Sequence, residues 1–185
     1  MTTPTSHLAD TMRHTALLSL ALLVAGCSSM RRDEPAPQIS SARAELRDAA
    51  GRSVGDVTLR QMPSGVLVVG QLSGVPPGVH AVHFHAVGRC EPPFESAGDH
   101  FSVGDARHGF QDPAGPHQGD LPNIFVPESG TLRFETVNSR LSLGGSNGLL
   151  DADGAAVVVH AYADDYQTDP SGNSGARIAC GVVSR

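Results

Sequence analysis

Val79-His80-Ala81-Val82-His83-Phe84-His85 reads as a β-strand. Side chains alternate between faces along an extended backbone, so Val82 and Phe84 point one way while His83 and His85 share the other. Working outward, similar short runs bounded by turn residues cover Ile39 to Arg47, Val54 to Gln61, Val66 to Leu72, Thr131 to Val137, Ala155 to Tyr162 and Ala176 to Val183, and the quoted run itself continues to Val87. Such spacing predicts an all-β sandwich or barrel. Ala50-Gly51-Arg52, Pro76-Pro77-Gly78 and Asp153-Gly154 supply the turns between runs. Composition agrees, since 4% aromatic residues, no Trp, 21 Gly and 13 Pro suit short strands and tight turns better than long helices. From Gly88 to Gly130 the chain is rich in Gly, Pro, Asp and His and lacks strand patterning, which marks a functional loop. A length of 185 residues with 39% hydrophobic content accommodates one domain plus an extension. A formal net charge of -6 excludes the clustered cations that nucleic-acid binding needs, so no nucleic-acid partner is expected.

The extension is N-terminal. Ala16 to Ala25 is an apolar run preceded by Arg13 and His14, too short to span a bilayer and suited to the core of a signal peptide. Leu23-Val24-Ala25-Gly26-Cys27 looks like a bacterial lipoprotein signal, in which Cys27 is lipidated and becomes the new N-terminus. The expected organisation is a signal segment 1–27, a polar Pro-bearing tether 28–38 and a domain 39–185. Residues before Met12 add nothing to that signal, so the start is either Met1 or Met12. Ser28 and Ser29 lack the Asp that signals inner-membrane retention, which favours anchoring to the outer membrane on the periplasmic side. An exported chain keeps disulfides, which makes Cys90 and Cys180 natural partners.

The long loop contributes His100, His108 and His117, with Asp120 three residues beyond the last, and Ala155 to His160 is a strand ending in a further histidine. Val157 and Val159 face away from His160, toward a core. With His83 and His85 this makes six imidazoles and one carboxylate, too rich in nitrogen for calcium or magnesium. Copper and zinc remain: a His3Asp tetrahedron suits structural zinc and four imidazoles suit copper(II), and seven side chains give eight bonds if one imidazole bridges. His80 lies off the His83 face and is expected to make a structural hydrogen bond. Asp165 reads as a solvated loop charge, and His7 and His14 carry no functional reading.

His83-Phe84-His85, Ser96-Ala97-Gly98-Asp99-His100-Phe101, His108-Gly109, His117-Gln118-Gly119-Asp120-Leu121-Pro122-Asn123, Val158-Val159-His160-Ala161 and Gly172 to Gly181 (GNSGARIACG) occur in that order and resemble the motifs of copper/zinc superoxide dismutases. The resemblance implies an eight-stranded Greek-key β-barrel, an immunoglobulin-like sandwich with long metal-binding loops. It implies copper on His83, His85, His100 and His160, and zinc on His100, His108, His117 and Asp120, with His100 bridging as an imidazolate. It further implies that Asp164 accepts hydrogen bonds from His83 and His108, that Cys90 and Cys180 form the intrachain disulfide, and that Arg177 is the guanidinium beside the copper. His100 and Arg177 are thereby the expected catalytic residues, and superoxide the substrate. Monomer and homodimer both fit.

Asp99 departs from the family's usual Pro or Gly, and Ser102-Val103 from its usual Asn-Pro, without removing a ligand. A metal-buffering lipoprotein without catalysis is the competing reading; a buffer has no use for Arg177, which favours the enzyme. Ala161 to Gly175 contains no Lys to steer an anion, so attraction rests on Arg177. The predicted rate therefore depends only shallowly on ionic strength; a steep fall that survives Arg177→Ala contradicts this.

Overall fold

A computed structural model describes residues 40–185. The expected signal segment 1–27 with Cys27, and the tether 28–38, lie outside the described residues. Nine strands appear: β1 (Ser41–Asp48), β2 (Ser53–Met62), β3 (Gly65–Ser73), β4 (Gly78–His80), β5 (Val82–His85), β6 (Ile124–Val126), β7 (Thr131–Asn138), β8 (Ala156–His160) and β9 (Arg177–Val182). Seven form one sheet in the order β5-β8-β9-β1-β2-β3-β7, and β4 pairs with β6 in a two-stranded ribbon. All pairings are antiparallel. β3 leads into β4 and β5 at the far end of the strand order, the long crossing of a Greek key.

The run read as one strand from Val79 to Val87 breaks at Ala81, because its neighbours change there. β4 pairs with β6, whereas β5 pairs with β8. Ala81 bridges the change, donating its N–H to Tyr162 O and accepting from His160 N, each at 2.9 Å. Counted as one bent strand, β4 and β5 bring the total to the expected eight. β6 corrects the sequence reading, which left Gly88 to Gly130 without a strand. Three residues between Asn123 and Pro127, with Phe125 outward and its neighbours inward, are too few to show alternation. A turn closed by Gly130 N–H to Pro127 O then carries β6 into β7, joining the two ends of the curled sheet.

β1 and β2 alternate buried and exposed residues, as strands with one wet face do. Leu46, Leu59, Val66 and Val68 drive into the core, where they meet Val82, Phe84, Val157 and Val159. β5 and β8 are buried on both faces. Their second face carries Ala156 and Val158, packed against Phe94, Ala97 and Cys180 under the long loop. The Cys90–Cys180 disulfide ties that loop to β9.

The free edge of β5 positions the loop. Phe84 N–H donates to Gly119 O at 2.9 Å, Phe101 N–H to Phe84 O at 2.7 Å, and Ala86 N–H to Asp99 O at 2.9 Å. Isolated bridges thereby set His83 opposite Asp120 and His85 opposite His100. Only glycine fits at position 119, where a Cβ would lie 2.4 Å from Phe84 O. Gly119→Ala should detach the loop from β5, lowering the metal content measured by elemental analysis while the far-UV circular dichroism of the barrel persists.

Candidate metal centre

β5 contributes His83 and His85, the end of β8 contributes His160, and the loop contributes His100, His108, His117 and Asp120. All seven are buried. A β-bulge between Val159 and His160 sets His160 opposite Arg177 on β9.

Hydrogen bonds on the outer nitrogens leave the inner ones with free lone pairs. His85 Nδ1 lies 2.8 Å from Gly98 O, and His160 Nδ1 lies 3.0 Å from Ser174 Oγ and 3.3 Å from Gly175 O. Carbonyls only accept, so Nδ1 carries the proton in each neutral ring and Nε2 is an acceptor. The two Nε2 atoms nevertheless face each other at 3.4 Å. His83 Nε2 donates to Asp164 Oδ2 at 2.8 Å, leaving its Nδ1 buried without a partner, as is His100 Nε2. Donor atoms of His83, His85, His100 and His160 all lie within 4.8 Å of one another. Buried acceptors converging without a donor are costly unless a cation sits among them. The residues present therefore fit a metal ion.

A second convergence lies on the other side of His100. Asp120 Oδ1 is 2.9 Å from His100 Nδ1, 3.2 Å from His108 Nδ1 and 3.5 Å from His117 Nδ1. Donors bonded to one tetrahedral zinc stand about 3.3 Å apart. The other oxygen of Asp120 accepts the N–H groups of His117 and Gly109 at 3.0 and 3.2 Å, which orients the carboxylate. The four donors here that all lie within 4.8 Å of one another are those of His83, His100, His108 and Asp120; His117 approaches through Asp120 alone, and His83 takes part because its ring centroid lies 4.1 Å from that of His100.

Asp164 links the two groups. Its Oδ1 accepts from His108 Nε2 at 2.9 Å while Oδ2 takes His83. Asn123, to which sequence reading assigned no role, fixes the backbone that bears this carboxylate: its side chain accepts from Asp164 N and donates to Asp164 O. Tyr166 OH accepts the N–H of Asn123. Ser174 and Asn138 were likewise unread; Asn138 Nδ2 holds Gln118 O and Asp120 O. Short polar residues in loops, or at a strand's end as Asn138 is in β7, give no periodic signal. His80 lies off the cluster, with Nδ1 2.8 Å from His160 O and Nε2 2.9 Å from Pro76 O. Asp165 is half-buried and gathers Thr168, Gln167 and Asn173 around itself, and the hydrogen bond from Thr168 leads in lowering its pKa to about 2.

Arg177 Nη1 donates to Phe94 O at 2.7 Å. The guanidinium lines a cavity of about 510 Å³ together with His85, His100 and His160.

In the metal-free protein, burial lowers His85 to about 2, His160 to about 3 and His100 to about 4, with neighbouring imidazoles adding to the effect. Burial opposes charging His108 too, but hydrogen bonds to Asp120 and Asp164 prevail and raise it to about 9. Burial would raise both carboxylates, yet the imidazoles bonded to them hold both well below the usual range.

The fold and the two convergent donor groups define a metalloprotein with two adjacent cation sites on an antiparallel β-barrel. A family model described as copper/zinc superoxide dismutase matches residues 53–183. Superoxide dismutase [Cu-Zn] of Caulobacter vibrioides is 45% identical over 148 residues, covering 77% of this chain and 85% of that one. Superoxide dismutase [Cu-Zn] 2 of Aquifex aeolicus is 42% identical over 146 residues, with 77% and 85% covered. The crystal structure of a SOD-like protein from Bacillus subtilis matches with a TM-score of 0.72 at 36% identity, over 76% of this chain and 96% of that one. The chain belongs to the copper/zinc superoxide dismutase family: it is an oxidoreductase with copper and zinc as cofactors.

The shifted histidines set the acid and base limits of the metal-free fold. Between their folded values and 6.5, His85, His100 and His160 are protonated only when unfolded, so stability falls as pH drops below about 6.5. His108 contributes fully below 6.5 and loses that contribution as pH rises toward about 9. Urea midpoints of chelator-treated protein should peak near pH 6.5; a midpoint unchanged by acidification, or rising steadily to pH 9, contradicts this.

Proposed function

We propose that His83, His85, His100 and His160 hold copper, that His100, His108, His117 and Asp120 hold zinc, and that His100 serves both as a bridging imidazolate. The observation that carries this reading is His100 itself: Nδ1 lies against Asp120 while the buried Nε2 is aimed at the other three imidazoles. When bound, copper supplies the one-electron changes by which one superoxide becomes dioxygen and another, with two protons, becomes hydrogen peroxide, while zinc is redox-inert and electrostatic.

The chain's own side chains do the rest. Arg177 offers the guanidinium donors left free by Phe94 O to a small anion entering the cavity. His100 Nε2 is the atom placed to hold a proton on the substrate's side, while Nδ1 keeps the ring anchored at Asp120. Asp164 keeps the rings of His83 and His108 from turning. The lipoprotein signal ending at Cys27 supports export and lipid anchoring, and with them antioxidant defence in the cell envelope on its periplasmic side.

Elemental analysis paired with superoxide consumption tests the assignment. The purified protein should carry both metals, lose dismutation on chelation and recover it when copper and zinc are returned. A loaded protein that binds both metals without consuming superoxide overturns the reading. Arg177→Ala should keep its metals and lower kcat/KM by roughly tenfold, the low end of what electrostatic capture supplies.

A further inference from the structure

The cavity leading to the donor clusters is unusually poor in positive charge. Among the described residues lining it, Arg177 is the single permanent cation, and it shares the wall with Glu95, Asp99 and Asp169. The chain contains no lysine: all 13 of its basic residues are arginine. Asp169 is partly answered by Arg107, 3.9 Å away, and by the N–H of His108. Glu95 is directed at Arg177, with Oε2 3.7 Å from Nη2.

The position of Glu95 is fixed by its backbone. The preceding Phe94 is fully buried and left-handed, with φ 76°, and the 3-10 turn Glu95–Ala97 is closed by Gly98 N–H to Glu95 O at 3.0 Å. The same Phe94 supplies the carbonyl that holds Arg177 Nη1. One segment thus presents to the guanidinium a neutral acceptor on one nitrogen and a full negative charge beside the other. At 3.7 Å the carboxylate is outside hydrogen-bond range, and its side chain is 75% exposed, so it acts as a charge and does not hold Arg177 in place.

We infer that Glu95 is a brake on anion entry: its carboxylate offsets the Arg177 guanidinium and lowers the cavity's affinity for small anions. This rests on superoxide being the substrate. The departure at Asp99 adds a second negative charge to the same wall.

The test uses azide, a small anion that coordinates copper(II) with a visible absorbance change, titrated into copper- and zinc-loaded protein. At an ionic strength of ~0.01 M, where the Debye length is about 30 Å, Glu95→Gln should bind azide roughly two- to threefold tighter than the parent. At ~1 M, where that length is about 3 Å, the two should coincide. Superoxide kcat/KM should rise by a similar factor at low salt alone. Glu128→Gln makes the same change in net charge on an exposed turn outside the cavity and should alter neither quantity. Equal or weaker azide binding in Glu95→Gln overturns the inference, as does a gain that persists at high salt or is matched by Glu128→Gln. If the loaded parent consumes no superoxide, the dismutase reading fails, yet the azide comparison still decides whether Glu95 opposes anions.

Discussion

A single buried carboxylate, Asp164, spans two imidazoles belonging to different donor groups. Each ring nitrogen bonded to it carries a proton, so whenever the ring is neutral, as a metal ligand must be, the opposite nitrogen is bare. Tautomer and orientation on both sides of the centre are thus decided by one side chain, whose backbone is clamped by Asn123. Gly172 completes the arrangement: a Cβ there would fall 2.0 Å from Asp164 Oδ1 and 2.7 Å from His108 Nε2, and its φ of +65° suits glycine. Buried in this way, the outer nitrogens of His83, His85, His108 and His160 each meet an oxygen, and the inner nitrogens are left to the cations the site would hold.

The barrel serves this centre through its edges. β5 is the last strand of the seven-stranded sheet, and its unpaired side is where the loop pairs by backbone. An exposed strand edge is a liability in many folds. Here it becomes a template that aligns His100 and Asp120 opposite the histidines of β5.

Most of the framework is legible in the sequence because it is periodic. The alternation of Val82 and Phe84 against His83 and His85 specifies the faces of β5, and the spacing of apolar runs specifies the other long strands. β6 was hidden because three residues cannot display a period of two. The break at Ala81 was hidden because a strand that changes partners keeps its alternation. Among the site residues, histidines announce themselves by chemical rarity, whereas Asn123, Ser174 and Phe94 act through an amide, a hydroxyl and a carbonyl that many loop residues could offer. Their roles follow from where the chain folds back and not from residue type.

The disulfide spans 90 residues and constrains the unfolded chain by about 4–5 kcal/mol in the chain-entropy picture. Its placement matters more than its size. Cys180 follows Arg177 closely on β9, and Cys90 precedes Phe94, whose carbonyl receives the guanidinium. Oxidation therefore closes a small ring with Arg177 and its acceptor on opposite arms. Were the disulfide reduced, the hydrogen bond from Arg177 to Phe94 O and the packing of Phe94 and Ala97 on β8 would be left to hold these arms together.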